Sequence, residues 1–536
     1  MRYDYIVVGA GTAGCVVAAR LSEDPDVRVL LLEAGASEPL PAMAVPPVWP
    51  TLERTSADWS DETVALAPDG SAMRWPRGRG LGGSTSINGM SFLRGHRSSY
   101  DAWGAHGWGF DALLPFFRRS ERVAGRDPDL RGTDGPLIVA APQRRHPLAA
   151  AGLEAALQVG HQCAGDVGSG VEQGFGWCDL NIVEGRRQSS ADAYLLPALN
   201  RPNIHVVTRA TAERVTIVGE RCVGVSYRRA GSMVDVACTS EVVLACGAIG
   251  SPQLLMLSGI GPEPHLTRVG IPIVAAVPGV GMNLHDHPMC SLVYAARRPV
   301  PPGENNHGEV VGLLRSDPSL PGPDVQLMFV DLPLHVPSLP GPASGGGYSI
   351  AVSLMLPSSR GTLRLKGDTQ DAGVRIDPNY YGERRDRDVM LTGLRAARRV
   401  GAAGALGPWR KREVLPGPSV QSTRDLDGYL DRNLRSYHHY GGTCGIGEEN
   451  GAVVDSELRV RGIDGLRVAD ASVMPAPVSA NTVATVYAIA ERAAELIRGA
   501  PSDRTSDGLL DAPGSDGTPS ELPRDVEEEH VTGEVA

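Results

Sequence analysis

Apolar and polar positions at the start of the chain follow the pattern of a strand, a helix and a second strand. Residues 3–8 form a short, mostly apolar run, which predicts a buried strand. Residues 15–21 carry apolar side chains at helical spacing, and residues 27–32 form a second apolar run. The N-terminus is therefore predicted to be a strand–helix–strand unit.

The same two periodicities predict further elements. Residues 36–72, rich in Pro, Ser and Thr, instead predict an extended excursion with little regular structure. Strands are predicted at residues 205–207, 214–218, 223–227, 234–238, 241–245, 325–330, 348–356, 361–365, 374–376 and 466–470. Helices are predicted at residues 103–119, through 254–257, and at 390–400, 426–434 and 482–498.

The order of these elements predicts an α/β fold with two domains. From residue 325 onward the pattern is typical of a largely antiparallel sheet. We predict a Rossmann-like dinucleotide-binding domain built from discontinuous segments, residues 1–290 and 431–500, with a substrate domain at residues 291–430. Residues 501–536 are rich in Pro, Gly, Ser, Asp and Glu, which predicts a disordered acidic tail.

A glycine motif connects the first strand to the first helix. Gly9 permits a tight turn, Gly11 lets backbone N–H groups approach a pyrophosphate, and Gly14 lets the helix pack closely on its strand. Glu33 ends the second strand 19 residues after Gly14, where a carboxylate can accept hydrogen bonds from a ribose. A glycine motif in this setting predicts a dinucleotide site.

Charge and composition exclude some functions. The net charge of −11 argues against nucleic acid as a partner, because phosphate binding requires a basic face. The eight cysteines show no C-x-x-C pair, which favours a reduced compartment. No apolar run approaches the ~18 residues that a transmembrane helix needs, and the first strand begins almost at residue 1. We therefore expect a cytoplasmic protein without a transmembrane segment.

A second glycine-rich segment occupies residues 76–89. Its glycines let the backbone lie flat against a planar ligand, and its hydroxyl side chains supply hydrogen bonds. A flexible surface loop is the alternative interpretation. The apolar residues that follow at 90–93 favour burial.

Together with the opening, three more motifs resemble the glucose–methanol–choline (GMC) family of flavin oxidoreductases over about residues 3–498. They are residues 78–88, residues 247–261, and the pair formed by 439–443 and 479–481. Within the family the chain is most similar to bacterial choline dehydrogenases and furan- or aryl-alcohol oxidases.

The resemblance implies that the dinucleotide is FAD and that residues 76–95 face the flavin. It assigns FAD contacts to Gly9, Gly11, Thr12, Ala13, Gly14, Glu33, Ala34, Leu81, Gly82, Ser86, Asn88, Gly89, Met90, Ser91, Ala212, Asp470, Ala471 and Thr482. Some members attach the flavin to a histidine directly before the motif's asparagine. Ile87 holds that position here, so we expect non-covalent FAD.

The resemblance also implies two catalytic residues. In the family motif two residues separate the histidine from Gly-Thr, which selects His439 over His438 as the general base. Asn481 matches the second site residue, and its amide can hold a substrate oxygen but cannot take a proton. The alternative for Asn481 is a helix N-cap ahead of Thr482, and both roles are compatible.

Some positions depart from the family or leave the interpretation open. Tyr440 stands where family members usually carry proline or a small residue, and Gly441 stands where they carry a larger one. We therefore expect the shape of the substrate pocket to differ from that of other members. Tyr440 and His438 are both candidate substrate contacts. Glu309 is either a pocket residue that meets a cationic substrate or a solvated surface carboxylate. Residues 285–287, His-Asp-His, resemble a family loop that binds no metal, and we expect no metal site.

These features predict an FAD-dependent oxidase or dehydrogenase that converts a primary alcohol to an aldehyde. Hydride would pass to flavin N5 while His439 takes the hydroxyl proton. The electron acceptor is left open between O2 and a quinone-like molecule. The alternatives are a non-redox lyase on the same flavin scaffold, similar to hydroxynitrile lyases, and a flavoprotein that binds without catalysis.

Overall fold

Strand Tyr3–Val8 lies in the middle of a seven-stranded sheet in the computed structural model, which describes residues 2–66, 70–449 and 451–499. It pairs in parallel with Val29–Leu32 on one side and with Ser232–Leu244 on the other. The remaining strands of this first sheet are Ile204–Val207, Ala210–Val218, Arg221–Arg229 and Leu466–Val468. The predicted strand–helix–strand unit is completed by helix Thr12–Leu21.

Strand Ser232–Leu244 joins two parts of this sheet. Its first half pairs antiparallel with Arg221–Arg229, and its second half pairs in parallel with Tyr3–Val8 and Leu466–Val468. The sequence predicted two separate strands here because polar residues 239–240 interrupt the apolar pattern. In the structure these residues stay within the strand, where the pairing shifts by a bulge against Tyr3–Val8.

A second sheet of seven strands is antiparallel throughout, which confirms the predicted architecture. Helix Arg384–Ala402 packs on it and shares its apolar core. Its strands are Gly174–Trp177, Pro288–Ala296, Val310–Leu314, Val325–Val330, Gly347–Leu354, Arg410–Leu415 and Arg435–Ser436.

Two predicted strands belong to a third sheet instead of this one. Thr362–Leu365 and Val374–Asp377 pair with each other, and the latter meets Asp61–Ala65, which pairs with Ala72–Trp75. The excursion at residues 36–72 is thus more regular than predicted, because its last part completes a sheet with a distant segment. Proline supplies the first residues of the two 3-10 helices in its first part, Pro41–Ala44 and Pro46–Leu52.

The predicted boundary at residue 290 does not separate the two large sheets. Strand Gly174–Trp177 pairs with Val310–Leu314, and helix Pro147–Gln158 contributes to the apolar core of the second sheet. A segment from the first 290 residues therefore crosses into the second sheet. The predicted acidic tail at residues 501–536 lies outside the described residues.

Two predicted helices have different bounds in the structure. The helix predicted at 103–119 begins only at Phe110, because Gly104 and Gly107 adopt positive φ of 67° and 80° just before it. The helix predicted at 390–400 begins earlier, at Arg384, where its first turn is polar. The first of these two helices ends at Ser120. The other helices are Arg97–Asp101, Leu196–Ala198, Gly247–Leu257, Glu263–Arg268, Thr423–Arg432 and Val483–Gly499. Among the described residues, no helix combines the length and the hydropathy needed to cross a bilayer.

Candidate active site

The carboxyl ends of four parallel strands open onto one cavity of about 460 Å³. Strand ends at Val8, Leu32 and Ala245 line it, as does Asp470 beyond the fourth strand. In open parallel sheets, ligands bind at this edge. The cavity continues to residues of the second sheet, so it spans both the predicted cofactor region and the predicted catalytic residues.

The glycine motif has the geometry that a pyrophosphate requires. Gly9 has a φ of 98°, and a Cβ there would lie 2.7 Å from the Ala245 carbonyl oxygen. A Cβ on Gly14 would lie 1.7 Å from the Gly9 oxygen, so only glycine lets the helix pack this closely. At Gly11 the nearest protein atom to a Cβ would be 3.9 Å away. The protein therefore leaves this glycine free to approach a ligand.

Two helices begin at the cavity wall. Residues 11–13 at the start of Thr12–Leu21 and residues 246–250 at the start of Gly247–Leu257 line it, and neither N-cap side chain accepts a bond from its helix. The first N–H groups of a helix have no partner within the helix and carry a partial positive charge. This arrangement fits the anionic pyrophosphate of FAD.

Glu33 accepts hydrogen bonds from three backbone N–H groups at the nucleotide end of the cavity. Its Oε1 accepts hydrogen bonds from the backbone N–H of Gly35 at 2.8 Å and Gly80 at 3.0 Å, and its Oε2 accepts from Ala10 at 2.9 Å. Burial raises the pKa of Glu33, and the three N–H donors oppose that rise. Oε2 retains acceptor capacity for a ribose hydroxyl, in keeping with the predicted role.

Asp470 performs a similar task at the fourth strand. Its Oδ2 accepts from the Gly247 N–H at 2.9 Å and from the Ser251 hydroxyl at 2.5 Å, and its Oδ1 accepts from the Ser472 N–H at 2.8 Å. Burial raises the pKa of this carboxyl group. Asp470 thus fixes the start of helix Gly247–Leu257 against the strand that precedes it.

Most of the predicted FAD residues line the cavity, and four do not. Gly14, Leu81, Gly82 and Ser86 lie outside the lining, where the Ser86 hydroxyl donates to the Leu81 carbonyl and the Gly82 N–H donates to the Ala10 carbonyl, each at 2.8 Å. The predicted residues in the lining are Gly9, Gly11, Thr12, Ala13, Glu33, Ala34, Asn88, Gly89, Met90, Ser91, Ala212, Asp470, Ala471 and Thr482.

His439 and Asn481 meet at the far end of the cavity. The Asn481 amide Nδ2 lies 3.2 Å from His439 Nε2, and the Asn481 Oδ1 accepts from Gln326 at 3.5 Å. The Nδ1 atoms of His439 and His287 lie 2.8 Å apart. Burial, followed by the neighbouring His287 and His438, holds the pKa of His439 well below its usual range. His439 is therefore neutral at physiological pH.

The orientation assigned to the Asn481 amide selects the tautomer of His439. An amide NH2 can only donate, so Nε2 of His439 accepts from Asn481 and has no proton of its own. The proton of the neutral ring is then on Nδ1, which donates to His287 Nδ1. The basic lone pair of His439 is therefore directed at the Asn481 amide, which lines the cavity beside it.

Asp286 fixes the backbone that carries His439. Its Oδ1 accepts from the His439 N–H at 2.7 Å, and its Oδ2 accepts from the Ser436 hydroxyl at 2.5 Å and from the Tyr380 hydroxyl. His438, between these anchor points, has a φ of 63°, a conformation that L-residues rarely adopt. Burial raises the pKa of Asp286 to about 6.

The three side chains of residues 285–287 point to different partners. His287 contacts His439, Asp286 contacts the backbone of His439, and His285 Nδ1 contacts the Asn283 carbonyl at 3.2 Å. Throughout residues 2–66, 70–449 and 451–499, no three His, Cys, Asp or Glu side chains are grouped as metal ligands would be.

His438 and Tyr440 both line the cavity next to the base. His438 Nδ1 lies 2.8 Å from the Tyr440 hydroxyl, and the Tyr440 ring stacks on Trp75 with centroids 3.9 Å apart. Burial lowers the pKa of His438 to about 3. The departure from the family pattern at Gly441 has a steric cause, because a Cβ at this position would lie 2.8 Å from His285 Nε2.

Glu309 does not occupy either of the places considered for it. It is buried, and its carboxylate accepts hydrogen bonds from the His146 N–H at 2.8 Å and from the Asn305 amide at 2.7 Å. It is absent from the cavity lining, to which the preceding residues 306–308 contribute instead. The strand direction at Val310–Leu314 turns the carboxylate toward helix Pro147–Gln158.

Several residues of the catalytic end were not predicted from the sequence. They belong to no motif and come from segments far apart in the chain, so only the fold brings them together. They are Trp49, Glu53, Met289, His307, Met328, Arg435 and Tyr437.

Comparison with known proteins decides the family. The GMC oxidoreductase family matches residues 3–289 with its N-terminal part and residues 357–490 with its C-terminal part. The chain belongs to the GMC oxidoreductases. The resemblance predicted from the motifs is thereby confirmed, and so are the oxidoreductase class, action on CH–OH donors and FAD as the cofactor.

Relatives of this GMC oxidoreductase cover nearly its whole length. It is 39% identical to the mitochondrial choline dehydrogenase of Homo sapiens, over 94% of this chain and 90% of that protein. It is 35% identical to the oxygen-dependent choline dehydrogenase of Rhizobium rhizogenes, over 94% and 96%. The crystal structure of pyridoxine 4-oxidase from Mesorbium loti superposes with a TM-score of 0.90 at 37% identity, covering 92% of this chain and 99% of that one.

Proposed function

We propose that this protein oxidises a primary alcohol to an aldehyde, with His439 as the base that takes the hydroxyl proton. The observation that carries the proposal is that His439 Nε2, on a ring whose pKa is lowered by burial, lies 3.2 Å from the Asn481 amide in the cavity lining. Both groups can reach the same substrate oxygen, one as acceptor of its proton and one as hydrogen-bond donor.

The residues at the catalytic end of the cavity have different roles in proton transfer. His439 takes the proton on Nε2, and its Nδ1–H continues to donate to His287. Because burial lowers the pKa of His439, the protonated ring readily releases its proton before the next turnover. Asn481 holds the substrate oxygen and does not titrate, so it fixes the orientation without changing charge.

FAD, when bound, supplies the acceptor for the hydride that leaves the carbinol carbon. The glycine motif, the two helix starts and Glu33 fit its pyrophosphate and ribose. Ile87, where a covalent histidine would stand, packs with Leu52 and Ala57 and has no nucleophilic atom. Non-covalent attachment and an acceptor such as O2 or a quinone-like molecule are parts of the same proposal.

The relatives described above are named as dehydrogenases and oxidases, and the lyase alternative finds no support among them. Their names include choline and pyridoxine, which differ in charge and shape. The similarity to these relatives therefore supports alcohol oxidation in general and does not single out one alcohol as the substrate.

Anaerobic mixing of the FAD-loaded protein with a panel of primary alcohols tests the proposal. We expect the flavin absorbance to bleach with at least one alcohol, and an equivalent of aldehyde to form. A His439→Ala variant should retain FAD and lose this rapid bleaching, whereas His106→Ala, at an exposed position, should behave like the wild type. Bleaching by no alcohol, or equally fast bleaching in His439→Ala, would contradict the proposal.

A further inference from the structure

Arg435 places a guanidinium group in the wall of the catalytic cavity. It belongs to the short strand Arg435–Ser436, which pairs with Pro288 and Met289, and both Met289 and Arg435 line the cavity. Arg435 lies four positions before His439, which limits the distance between their Cα atoms to about 14 Å. A small molecule can therefore contact both side chains at once.

The guanidinium has more donors than partners. Its Nη1 donates to the His335 carbonyl at 3.1 Å, and its Nε–H is buried without any acceptor. Arginine presents five N–H donors and stays protonated at neutral pH. The Nε–H is shielded from the cavity, whereas no hydrogen bond joins Nη2 to a described residue, so Nη2 is the donor that an acceptor oxygen of a ligand can reach. The unpaired donors thus indicate an occupant with acceptor groups.

Glu53 also lines the cavity but does not neutralise Arg435 by direct contact. Within the described part of the chain, no salt bridge of 4.0 Å or less and no side-chain hydrogen bond joins it to another residue. Burial raises the pKa of Glu53, and Arg435 opposes that rise from a distance. Another titratable group of the lining, His307, already contacts Asp331 at 2.7 Å. Arg77, the other arginine among the described lining residues, is paired with Asp61, so Arg435 is the lining arginine without a carboxylate partner.

We infer that Arg435 is a specificity residue that selects a primary alcohol bearing a carboxylate on an apolar body. The inference rests on the proposed function, because the alcohol end of the same molecule reaches His439 and Asn481. The apolar body is matched by lining residues such as Trp49, Met328 and Leu332. Choline, a cation, would place its charge in the field of an unpaired guanidinium.

The test compares three alcohols that differ in one terminal group. A series of ω-hydroxycarboxylates of increasing length, their methyl esters and the corresponding ω-hydroxyalkyl trimethylammonium ions are mixed anaerobically with the FAD-loaded protein. Apparent affinity comes from the concentration dependence of flavin reduction. We expect the carboxylate to bind about 10- to 100-fold more tightly than its ester, the usual effect of charge-assisted hydrogen bonds.

Arg435→Met should remove this preference while leaving reduction by the esters nearly unchanged, and Arg435→Lys should restore part of it. Arg54→Met is the matched control, because Arg54 pairs with Glu62 on the surface, outside the cavity lining. Glu53→Gln should strengthen carboxylate binding slightly. Glu53→Gln should also leave turnover of the ammonium alcohols intact. If Glu53 recognised a cation, this variant would lose that turnover.

Three results would overturn the inference. They are equal binding of carboxylate and ester by the wild type, tighter binding of the ammonium alcohols, and an equal loss for all three classes in Arg435→Met. The last would mean that Arg435 only positions the chain at His335.

A titration with the saturated fatty acid, which lacks the hydroxyl, measures carboxylate binding through the flavin spectrum without turnover. Failure of alcohol oxidation is thereby distinguished from failure of carboxylate recognition.

Discussion

His287 and His439 face each other across 2.8 Å through their Nδ1 atoms. Because Asn481 donates to the opposite nitrogen of His439, His287 is the acceptor in this pair. His287 is thus placed to fix the tautomer in which His439 can act as a base.

Replacing His287 with Phe should therefore slow flavin reduction without removing FAD. The Nδ1–H of His439 would lose its buried acceptor, at a cost of about 1–3 kcal/mol, and the ring could move its proton to Nε2. We expect a ~10- to 100-fold slower reduction, read by stopped-flow absorbance. His287→Gln, which retains an acceptor oxygen, should recover part of the rate. Equal losses in both variants would contradict a role in the tautomer.

The two adjacent histidines should respond differently to replacement. His439→Ala should reduce the rate of flavin reduction ~10²- to 10⁴-fold, the usual contribution of a general base. His438→Ala should mainly change apparent substrate affinity, because His438 lines the cavity and bonds to Tyr440. Loss of reduction in His438→Ala together with fast reduction in His439→Ala would mean that the wrong histidine has been assigned.

The pH dependence of flavin reduction should follow the neutral form of His439. The rate should rise with pH and become constant above the apparent pKa of that residue. Since burial lowers this pKa well below the usual range, the plateau should begin below about pH 6.5, the ordinary histidine value. Asn481→Ala should slow reduction but keep the same profile, because the amide does not titrate. A plateau reached only above the ordinary value would show that another group controls the rate.

Asp286 should make stability depend on pH. Burial raises its pKa in the folded protein from 3.8 to about 6, so the folded state favours the protonated form. Its contribution to the free energy of unfolding is therefore greatest below pH 4 and falls by about 3 kcal/mol as the pH rises through 6. Thermal unfolding of Asp286→Asn should lack this fall. A wild type and variant with parallel pH profiles would refute the assignment.

Gly11 and Gly14 should differ in what an added methyl group does. In Gly14→Ala the Cβ would meet the Gly9 carbonyl oxygen, so we expect loss of folded protein. In Gly11→Ala the Cβ has room among protein atoms, so the chain should fold but retain less FAD. Circular dichroism and the flavin content of purified protein separate the two outcomes. Normal FAD content in Gly11→Ala would exclude close approach of the cofactor at this glycine.

The sequence predicted best those features that depend on neighbouring residues. A tight turn at Gly9, a closely packed helix at Gly14 and a carboxylate at Glu33 follow from local geometry, and the structure contains all three. Glu309 was misplaced because the sequence gives its position near the cavity but not the direction of its side chain. Arg435 and Glu53 were missed because they approach each other only after the sheets have formed.

The pairing of strands that lie far apart in the chain also could not be predicted from the sequence. Strand Gly174–Trp177 joins a sheet whose other members lie beyond residue 287, and Asp61–Ala65 pairs with a strand more than three hundred residues later. Neither pairing has a local signal, since the hydrophobic pattern of a strand predicts a buried face but not the partner.

Strand Leu466–Val468 completes the parallel half of the first sheet by pairing with Ser232–Leu244, and Asp470 lies two residues beyond its end. During synthesis the ribosome must therefore release nearly the entire chain before the edge that holds FAD is finished. The glycine motif emerges among the first residues, yet the wall at Asp470 is added only more than four hundred residues later. We therefore expect a nascent chain that ends before this strand to lack the part of the cavity wall that Asp470 supplies.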